Sequence, residues 1–272
     1  MIEIVLALLL GLLAGSFLNV CIHRLPRDLS VVRPRSYCPA CEAPIAWYDN
    51  IPLLSYALLL GKCRRCGTRI PVRYPLVELA TAAVFVFSVA RLGVSLPALK
   101  WSLFGALMIG LLFSDLEQRI LPDEFTLGGA LAGLLLALWT PMPYGFVQFF
   151  VQVFAAGAWP ARWISLGEAV LGAAVGSGLL WVVGRLYLAV RHREGLGLGD
   201  VKMLAAVGAF LGLQGALQTL VLGSIAGSIV GLIYIKATRK SMATYELPFG
   251  TFLALAALAV GMLYGPLQAW PG

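Results

Sequence analysis

Long apolar runs with few charges dominate this sequence and constrain its fold more than any other feature. Hydrophobic residues make up 60% of the 272-residue chain and charged residues 12%, about half the ~25% of a soluble domain. A soluble enzyme is therefore disfavoured. Spanning the ~30 Å hydrocarbon core takes about 20 residues of helix. We predict an all-α polytopic membrane protein with about eight transmembrane helices, near residues 4–20, 77–94, 98–114, 125–139, 168–190, 201–213, 217–235 and 249–267.

Basic residues indicate which way the predicted helices cross the membrane. Lys and Arg outnumber Asp and Glu by 20 to 13, and cytoplasmic loops near helix ends carry most of the Lys and Arg of membrane proteins. With the N-terminus outside, 17 of the 20 basic residues face the cytoplasm, and only Arg91, Lys100 and Arg162 do not. A basic chain can also bind nucleic acid, but the apolar runs favour a membrane. We therefore predict lipid contacts and no nucleic-acid partner.

The apolar segment 144–159 is ambiguous, because Gln148, Gln152 and Gly157 interrupt it. Counting it as a ninth span would turn the basic residues between 191 and 240 to the outside, against the positive-inside rule. We therefore predict that this segment is interfacial or re-entrant.

The only sizeable soluble portion of the sequence is the loop at about 21–76, and it contains two CxxC pairs. Cys38 and Cys41 form the first pair, and Cys63 and Cys66 form the second after 21 intervening residues. Four soft thiolates at this spacing favour a closed, tetrahedral Zn²⁺ site with a structural role. Unliganded thiols or two local disulfides are the alternatives, and a cytoplasmic location disfavours disulfides. Cys21 is left over.

Two carboxylates at predicted helix ends are the main candidates for chemistry, because charges are costly at membrane depth. Asp115 directly follows the apolar run 107–113, and Asp200 follows the glycine-rich stretch 195–199. In the predicted topology both lie at the cytoplasmic boundary. Two carboxylates in a poorly hydrated site share one proton near neutral pH, which is the arrangement that an aspartic protease uses to activate water.

Structural explanations exist for each of these acidic residues taken alone. Asp200 is equally well explained as a helix N-cap after a glycine turn, and Asp115 as a solvated charge at a helix end. Asp123 and Glu124 follow Pro122, and a capping role in the first turn of the next helix is the better interpretation for both. The distance between Asp115 and Asp200 does not follow from the sequence.

Several stretches together resemble the type IV prepilin peptidase family, the bacterial aspartyl membrane proteases. In chain order these are GSFLNV at 15–20, the two CxxC pairs, WYDNIP at 47–52, RYPLVEL at 73–79, residues 115–123 and GLGDVK at 197–202. The resemblance implies that Asp115 and Asp200 are the two catalytic aspartates. Supporting positions are expected at Gly197, Gly199, Lys202 and Asp123.

The resemblance also implies a substrate, a location and a second activity. The expected substrates are type IV prepilins or type II secretion pseudopilins in the bacterial inner membrane, cleaved on the cytoplasmic side after the glycine that ends a short basic leader. Many family members also N-methylate the new N-terminus with S-adenosylmethionine. Glu78 is the candidate for holding the substrate amine or the sulfonium cation, although a boundary charge paired with Arg73 is the interpretation that we favour.

Two other classes of function remain open at this point. Asp115 and Asp200 would form a proton relay in a transporter, and they would be structural in a zinc-dependent membrane assembly protein. A transporter would place its charges near the bilayer midplane and contain broken helices in two repeated halves, neither of which the sequence indicates. We predict a first transmembrane helix at 1–20, a zinc-binding, methyltransferase-associated loop at 21–76, and a membrane peptidase core with seven further helices at 77–272.

Overall fold

The computed structural model describes residues 1–142, 145–154, 159–192, 195–238 and 248–264. These residues form nine α-helices and no strand beyond two isolated bridges. The predicted all-α fold is therefore confirmed for the described part of the chain. The helices are α1 Ile2–Arg24, α2 Leu54–Leu58, α3 Arg73–Leu92, α4 Leu96–Gln118, α5 Asp123–Ala137, α6 Phe146–Phe154, α7 Ala161–Arg191, α8 Leu198–Thr238 and α9 Phe249–Tyr264.

Five of these helices are long and apolar enough to cross a membrane: α1, α3, α4, α7 and α8. Helical structure is what a bilayer requires of such segments, because lipid offers no partner to backbone N–H and C=O groups. The chain is therefore a multi-pass membrane protein. The helices α5 and α9 contain 15 and 16 residues, fewer than the 17–25 that usually span the hydrocarbon core.

Helix α8 is broken at Gly212, close to the boundary predicted between the sixth and seventh spans. Its 41 residues include one non-helical position, Gly212, with φ 71° and ψ −173°. This backbone conformation is almost restricted to glycine. A Cβ atom there would also lie 2.9 Å from Cγ of Glu168 on α7. Both the conformation and the close approach therefore require glycine at this position.

The ambiguous segment contains a short helix, α6, of nine residues. It is too short to span the membrane, and most of its phenylalanine and valine side chains are exposed. The Glu168 carboxylate accepts hydrogen bonds from the backbone N–H groups of Val147 in α6 and Leu213 after the break in α8, at 2.9 and 3.2 Å. Some parts of the sequence that entered the predictions lie outside the described residues: Tyr144, residues 155–158, the basic residues 193, 239 and 240, and the end of the last predicted span at 265–267.

The chain divides into two compact units, Met1–Gly110 and Leu111–Gly272. In the first unit α1 packs against α3, and the contact depends on small residues. A Cβ at Gly11 would lie 2.6 Å from the Ala82 Cα, and one at Gly15 would lie 2.7 Å from the Glu78 Cα. In the second unit α8 packs against α5, α7 and α9. Close approach through glycine is a common way for helices to associate in lipid.

Candidate functional site

The two CxxC pairs converge in the loop of the first unit. The four Sγ atoms of Cys38, Cys41, Cys63 and Cys66 all lie within 4.8 Å of one another. The Sγ atoms of Cys38 and Cys66 are 3.8 Å apart. Zn–S bonds of about 2.3 Å in a tetrahedron place sulfurs roughly 3.8 Å apart. The cluster is therefore of the right size and chemistry to bind a metal ion, and Cys21 lies buried in α1.

Each CxxC pair is formed by a tight local turn of the same design. The N–H of Glu42 donates to the Cys38 carbonyl at 2.8 Å, and the N–H of Gly67 donates to the Cys63 carbonyl at 2.9 Å. Glu42 and Gly67 both have positive φ, 54° and 72°. Hydrogen bonds with the side chain and backbone of Thr68 lower the pKa of the Cys66 thiol to about 6.

An ion pair joins the second CxxC turn to the 3-10 helix Trp47–Asn50. The Arg64 guanidinium donates to both carboxylate oxygens of Asp49, with Nε–Oδ2 and Nη2–Oδ1 distances of 2.8 and 2.6 Å. The hydrogen bonds from Arg64 hold the pKa of Asp49 below its usual range. A bidentate pair fixes orientation as well as distance, so the two halves of the loop are tied together beside the cysteine cluster.

Asp115 lies near the end of α4, and it is only 5% exposed. Its Oδ2 atom accepts two hydrogen bonds from Thr251, one from the backbone N–H at 2.6 Å and one from the hydroxyl at 2.8 Å. Thr251 lies in the first turn of α9. The sequence predicts only the entry to the last span in this region and ties no chemistry to it, so Thr251 is a candidate site residue that sequence reasoning missed. The signal that could have found it is the adjoining stretch 245–250, which resembles the end segment of the family.

Asp200 lies in the first turn of α8, and its side chain is also buried, at 9% exposure. The charge of Asp115 acts on the Asp200 carboxylate. Leu121 lies beside the starts of both α8 and α9. A Cβ at Gly199 would lie 3.1 Å from the Leu121 Cβ, and a Cβ at Gly250 would lie 3.0 Å from the Asp115 Cγ and 3.1 Å from the Leu121 Cδ1.

The glycines of the GLGD motif have different surroundings. Gly199 faces Leu121 closely, so that a side chain there would press on it. At Gly197 an added Cβ would be in ordinary contact with the Asp200 Oδ2, at 3.5 Å. The Gly197 carbonyl accepts the Asp200 N–H at 3.2 Å. The motif thus forms a tight turn that leads into α8, and the Asp200 carboxylate lies over this turn, close to Gly197.

Lys202 and Asp123 form an ion pair between the starts of α8 and α5. The Lys202 Nζ lies 2.7 and 3.0 Å from the two carboxylate oxygens of Asp123. The prediction that Asp123 and Glu124 occupy the first turn of α5 is confirmed. The prediction that Asp123 caps this helix is wrong, because Pro122 is the N-cap residue, without a side-chain cap, and the Asp123 carboxylate binds Lys202. Asp123 instead links α5 to the helix that carries Asp200.

Glu78 is buried in the first unit, on the side of α3 that faces α1. It accepts hydrogen bonds from the backbone N–H of Leu53 at 2.8 Å and from the Ser16 hydroxyl. Neither partner was predicted from the sequence. The Arg73 guanidinium lies over the Tyr74 ring, 4.5 Å from its centroid.

A pocket of about 320 Å³ lies between the second half of α1 and the loop residues 31–36. The polar part of its lining consists of Ser16, Arg24, Arg35, Ser36 and Asn50. The Arg24 guanidinium shapes the pocket wall by donating to the carbonyls of Ser30 and Pro34 at 2.9 and 2.8 Å. Because Ser16 also binds Glu78, the pocket and this buried carboxylate adjoin each other.

Comparisons with known proteins cover nearly the whole chain. The model of the bacterial peptidase A24 N-terminal domain matches residues 9–92, and that of the type IV leader peptidase family matches residues 101–232. A Pseudomonas putida protein is 36% identical over 96% of this chain and 91% of its own length. A Klebsiella pneumoniae protein is 41% identical over 79% of this chain and 87% of its own length.

A Myxococcus xanthus protein is 40% identical over 85% of this chain, which spans only 63% of that relative's length. All three relatives are named prepilin leader peptidase/N-methyltransferase. No solved structure matches the chain. With one family model on each half of the chain and relatives this similar along most of it, the chain belongs to the type IV leader peptidase family, as its motifs predicted.

Proposed function

We propose that this protein cleaves type IV prepilins or type II secretion pseudopilins after the leader glycine, with Asp115 and Asp200 as its catalytic residues. The observation that carries the proposal is the pair of buried carboxylates at the ends of two different helices, placed so that the charge of Asp115 acts on Asp200. Buried charges of the same sign are costly unless they share a proton. Such a pair is suited to acid–base chemistry on a peptide bond.

The proposed reaction needs one ionised and one neutral carboxyl group. The ionised carboxylate takes a proton from water, and the water oxygen attacks the scissile carbonyl carbon. The neutral carboxyl hydrogen-bonds the oxyanion that forms as the carbonyl electron pair moves to oxygen. When the C–N bond breaks, the proton taken from water passes to the leaving amine, and the leader peptide is released with a new C-terminal carboxyl group.

The substrate geometry supports the proposal. A prepilin consists of a short basic leader followed by an apolar helix, and this helix can lie in the bilayer beside the enzyme. Docking in the plane of the membrane would deliver the cytoplasmic end of the helix to carboxylates at the membrane boundary. Such pre-orientation removes part of the entropic barrier of a bimolecular reaction.

We propose eight spans with the N-terminus outside, in the bacterial inner membrane. Five helices have the required length and composition. At ~1.5 Å per residue, the 41 residues of α8 would extend about 60 Å, twice the hydrocarbon thickness. The break at Gly212 therefore favours two spans within α8, with α5 and α9 as the remaining two. The distribution of basic residues favours a cytoplasmic location for Asp115, Asp200 and the cysteine loop.

The cysteine cluster is proposed to bind one structural Zn²⁺ ion within the loop domain 21–76. All four tetrahedral positions would be filled by Cys38, Cys41, Cys63 and Cys66, which leaves none for a catalytic water. The remaining segments are a first helix at 1–20 and the peptidase core at 77–272.

We propose further that the protein N-methylates the new N-terminus and that S-adenosylmethionine occupies the pocket beside Ser16. The donor has a carboxylate, which suits Arg35 on the pocket lining. It also has a sulfonium cation, which suits the Glu78 carboxylate behind Ser16. The pocket volume of about 320 Å³ is within the usual range for small-molecule sites.

The proposal is tested by incubating the purified protein in liposomes with a prepilin peptide that has a basic leader and a Gly-Phe junction. We expect cleavage after the glycine and, with S-adenosylmethionine, a product one methyl group heavier by mass spectrometry. A peptide with the glycine replaced by valine should stay intact. Failure of the folded, zinc-loaded protein to cleave the glycine peptide would contradict the proposed function.

A further inference from the structure

The two buried carboxylates differ in the hydrogen bonds that they receive. Asp115 accepts two short bonds on one oxygen, both from Thr251, at 2.6 and 2.8 Å. The Asp200 carboxylate accepts one hydrogen bond, from the Gly197 backbone, and no side chain among the described residues donates one to it. Hydrogen bonds donated to a carboxylate oxygen are stronger when the carboxylate is ionised.

The close approach of α9 to Asp115 depends on Gly250. A Cβ at Gly250 would lie 3.0 Å from the Asp115 Cγ, tighter than ordinary van der Waals contact. Without a side chain at 250, the first turn of α9 lies against the carboxylate, and Thr251, itself only 7% exposed, donates through its backbone and its hydroxyl. Free N–H groups at the start of a helix also favour a negative charge.

We infer that Thr251 is a positioning residue that keeps Asp115 as the ionised member of the pair, so that Asp115 is the base and Asp200 holds the shared proton. This inference rests on the proposed function and assigns a role to each aspartate within it. Hydrogen bonds donated to a carboxylate favour its charged form. The positive charge of Arg119, one helical turn after Asp115, acts in the same direction.

The arrangement also orients the base. Because both Thr251 donors reach Oδ2, they restrict the orientation of the carboxylate, and no donor among the described residues reaches Oδ1. The water that attacks the substrate would be bound by Oδ1, and Asp200 would face the carbonyl oxygen with its proton. Loss of the hydroxyl therefore weakens the chemical step and leaves substrate binding intact.

The first test compares Thr251→Val, Thr251→Ser and the matched control Thr219→Val in the prepilin cleavage assay. Thr219 is fully buried in α8, and its hydroxyl has no hydrogen-bond partner in the described part of the chain. Valine at 251 removes the hydroxyl but keeps the shape and the backbone donor, and we expect kcat to fall about 10- to 100-fold with KM unchanged. Serine should restore kcat to within about 3-fold of wild type, and the control should match wild type.

Three outcomes would overturn the inference: normal kcat in Thr251→Val, a serine variant as slow as the valine variant, or an effect confined to KM. They are distinct from failure of the proposed function, which would abolish cleavage by the wild type.

A second measurement does not depend on the Thr251 variants folding. Infrared spectra with ¹³C-labelled aspartate should contain the band of a buried protonated carboxyl in wild type and in Asp115→Asn, and lose it in Asp200→Asn. Loss in Asp115→Asn instead would assign the proton to the other residue.

Discussion

The cysteine cluster and the aspartate pair are built in opposite ways. The cysteine cluster is made of two local turns, each closed by hydrogen bonds within five residues, and brought together across a short loop. The aspartate site is assembled from the end of α4, the start of α8 and the start of α9, and its closest hydrogen bonds join residues 136 positions apart. Local chain geometry therefore determines the cysteine cluster, where we propose that a metal binds, and helix packing determines the aspartate site.

Because the two sites are built differently, we expect metal loss and substitutions in the helices to affect the protein in different ways. A loop of about 50 residues has little core of its own, so its folding depends on the metal. The aspartate site depends on close helix approach that is sensitive to a single methyl group, because a Cβ at Gly250 would press on the Asp115 carboxylate. Metal loss should unfold a segment, whereas changes in the helices should move functional groups by fractions of an ångström.

The largest expected effect follows from metal removal. Cys38→Ser removes one of the four ligands and a strong chelator competes for the ion, so either should release the zinc and with it the about 10–16 kcal/mol of apparent binding free energy that such a site contributes to folding. We expect metal analysis to fall from one zinc per chain to none and limited proteolysis to cut within the 21–76 loop. Cys21→Ser is the control and should keep its zinc. An intact, protease-resistant loop without metal would show that the cysteines do not hold it together.

The next largest effect is expected at the break in α8. Gly212→Ala should lower the thermal unfolding temperature, because the backbone conformation alone costs about 1–3 kcal/mol with a side chain. The new Cβ would also displace Glu168 from the N–H groups of Val147 and Leu213. Gly178→Ala in α7 is the matched control, since a Cβ there meets nothing within 4 Å. Equal unfolding temperatures of the two variants would contradict the importance of the break.

Glu78→Gln should separate the two proposed activities. The glutamine keeps the size of the side chain but removes the charge that we assign to the methyl donor or the substrate amine. We expect methyl transfer to fall at least ~10-fold, with leader cleavage within twofold of wild type, both read by mass spectrometry of one reaction. Glu3→Gln, at an exposed position of α1, is the control. Equal loss of both activities would place Glu78 in a purely structural role.

The smallest effect is expected for the ion pair between Lys202 and Asp123. Both side chains are substantially exposed, 37% and 57%, and exposed pairs contribute about 0–1 kcal/mol. Lys202→Met should therefore reduce cleavage only slightly, with the difference from wild type disappearing at high salt because salt screens the pair. A loss as severe as that of an aspartate variant would mean that Lys202 contacts the reacting groups.

The sequence was informative where function depends on short-range spacing. The cysteine ligand set could be predicted because each CxxC turn is local, and Asp115 and Asp200 were identified because each borders an apolar run. The break in α8 at Gly212 lies close to the boundary predicted between the sixth and seventh spans, where glycines and a glutamine interrupt the apolar run.

Other features could not be predicted because they depend on packing between distant segments. Thr251 donates partly through its backbone, which no residue type reveals, and it does so to a residue on a distant helix. The Glu78 hydrogen bond to Leu53 depends on an unusual backbone conformation, with φ 58° at Leu53. The pairing of Asp123 with Lys202 likewise required the relative placement of α5 and α8.

The most direct test of the account is leader cleavage by Asp115→Asn and Asp200→Asn in liposomes, with Asp28→Asn as the control. Asp28 is an exposed loop residue at φ 54°, a conformation that asparagine tolerates well. We predict that each active-site variant folds, keeps its zinc and loses cleavage by at least ~1000-fold, while the control cleaves at the wild-type rate. Cleavage that survives in either active-site variant would contradict a mechanism based on the two aspartates.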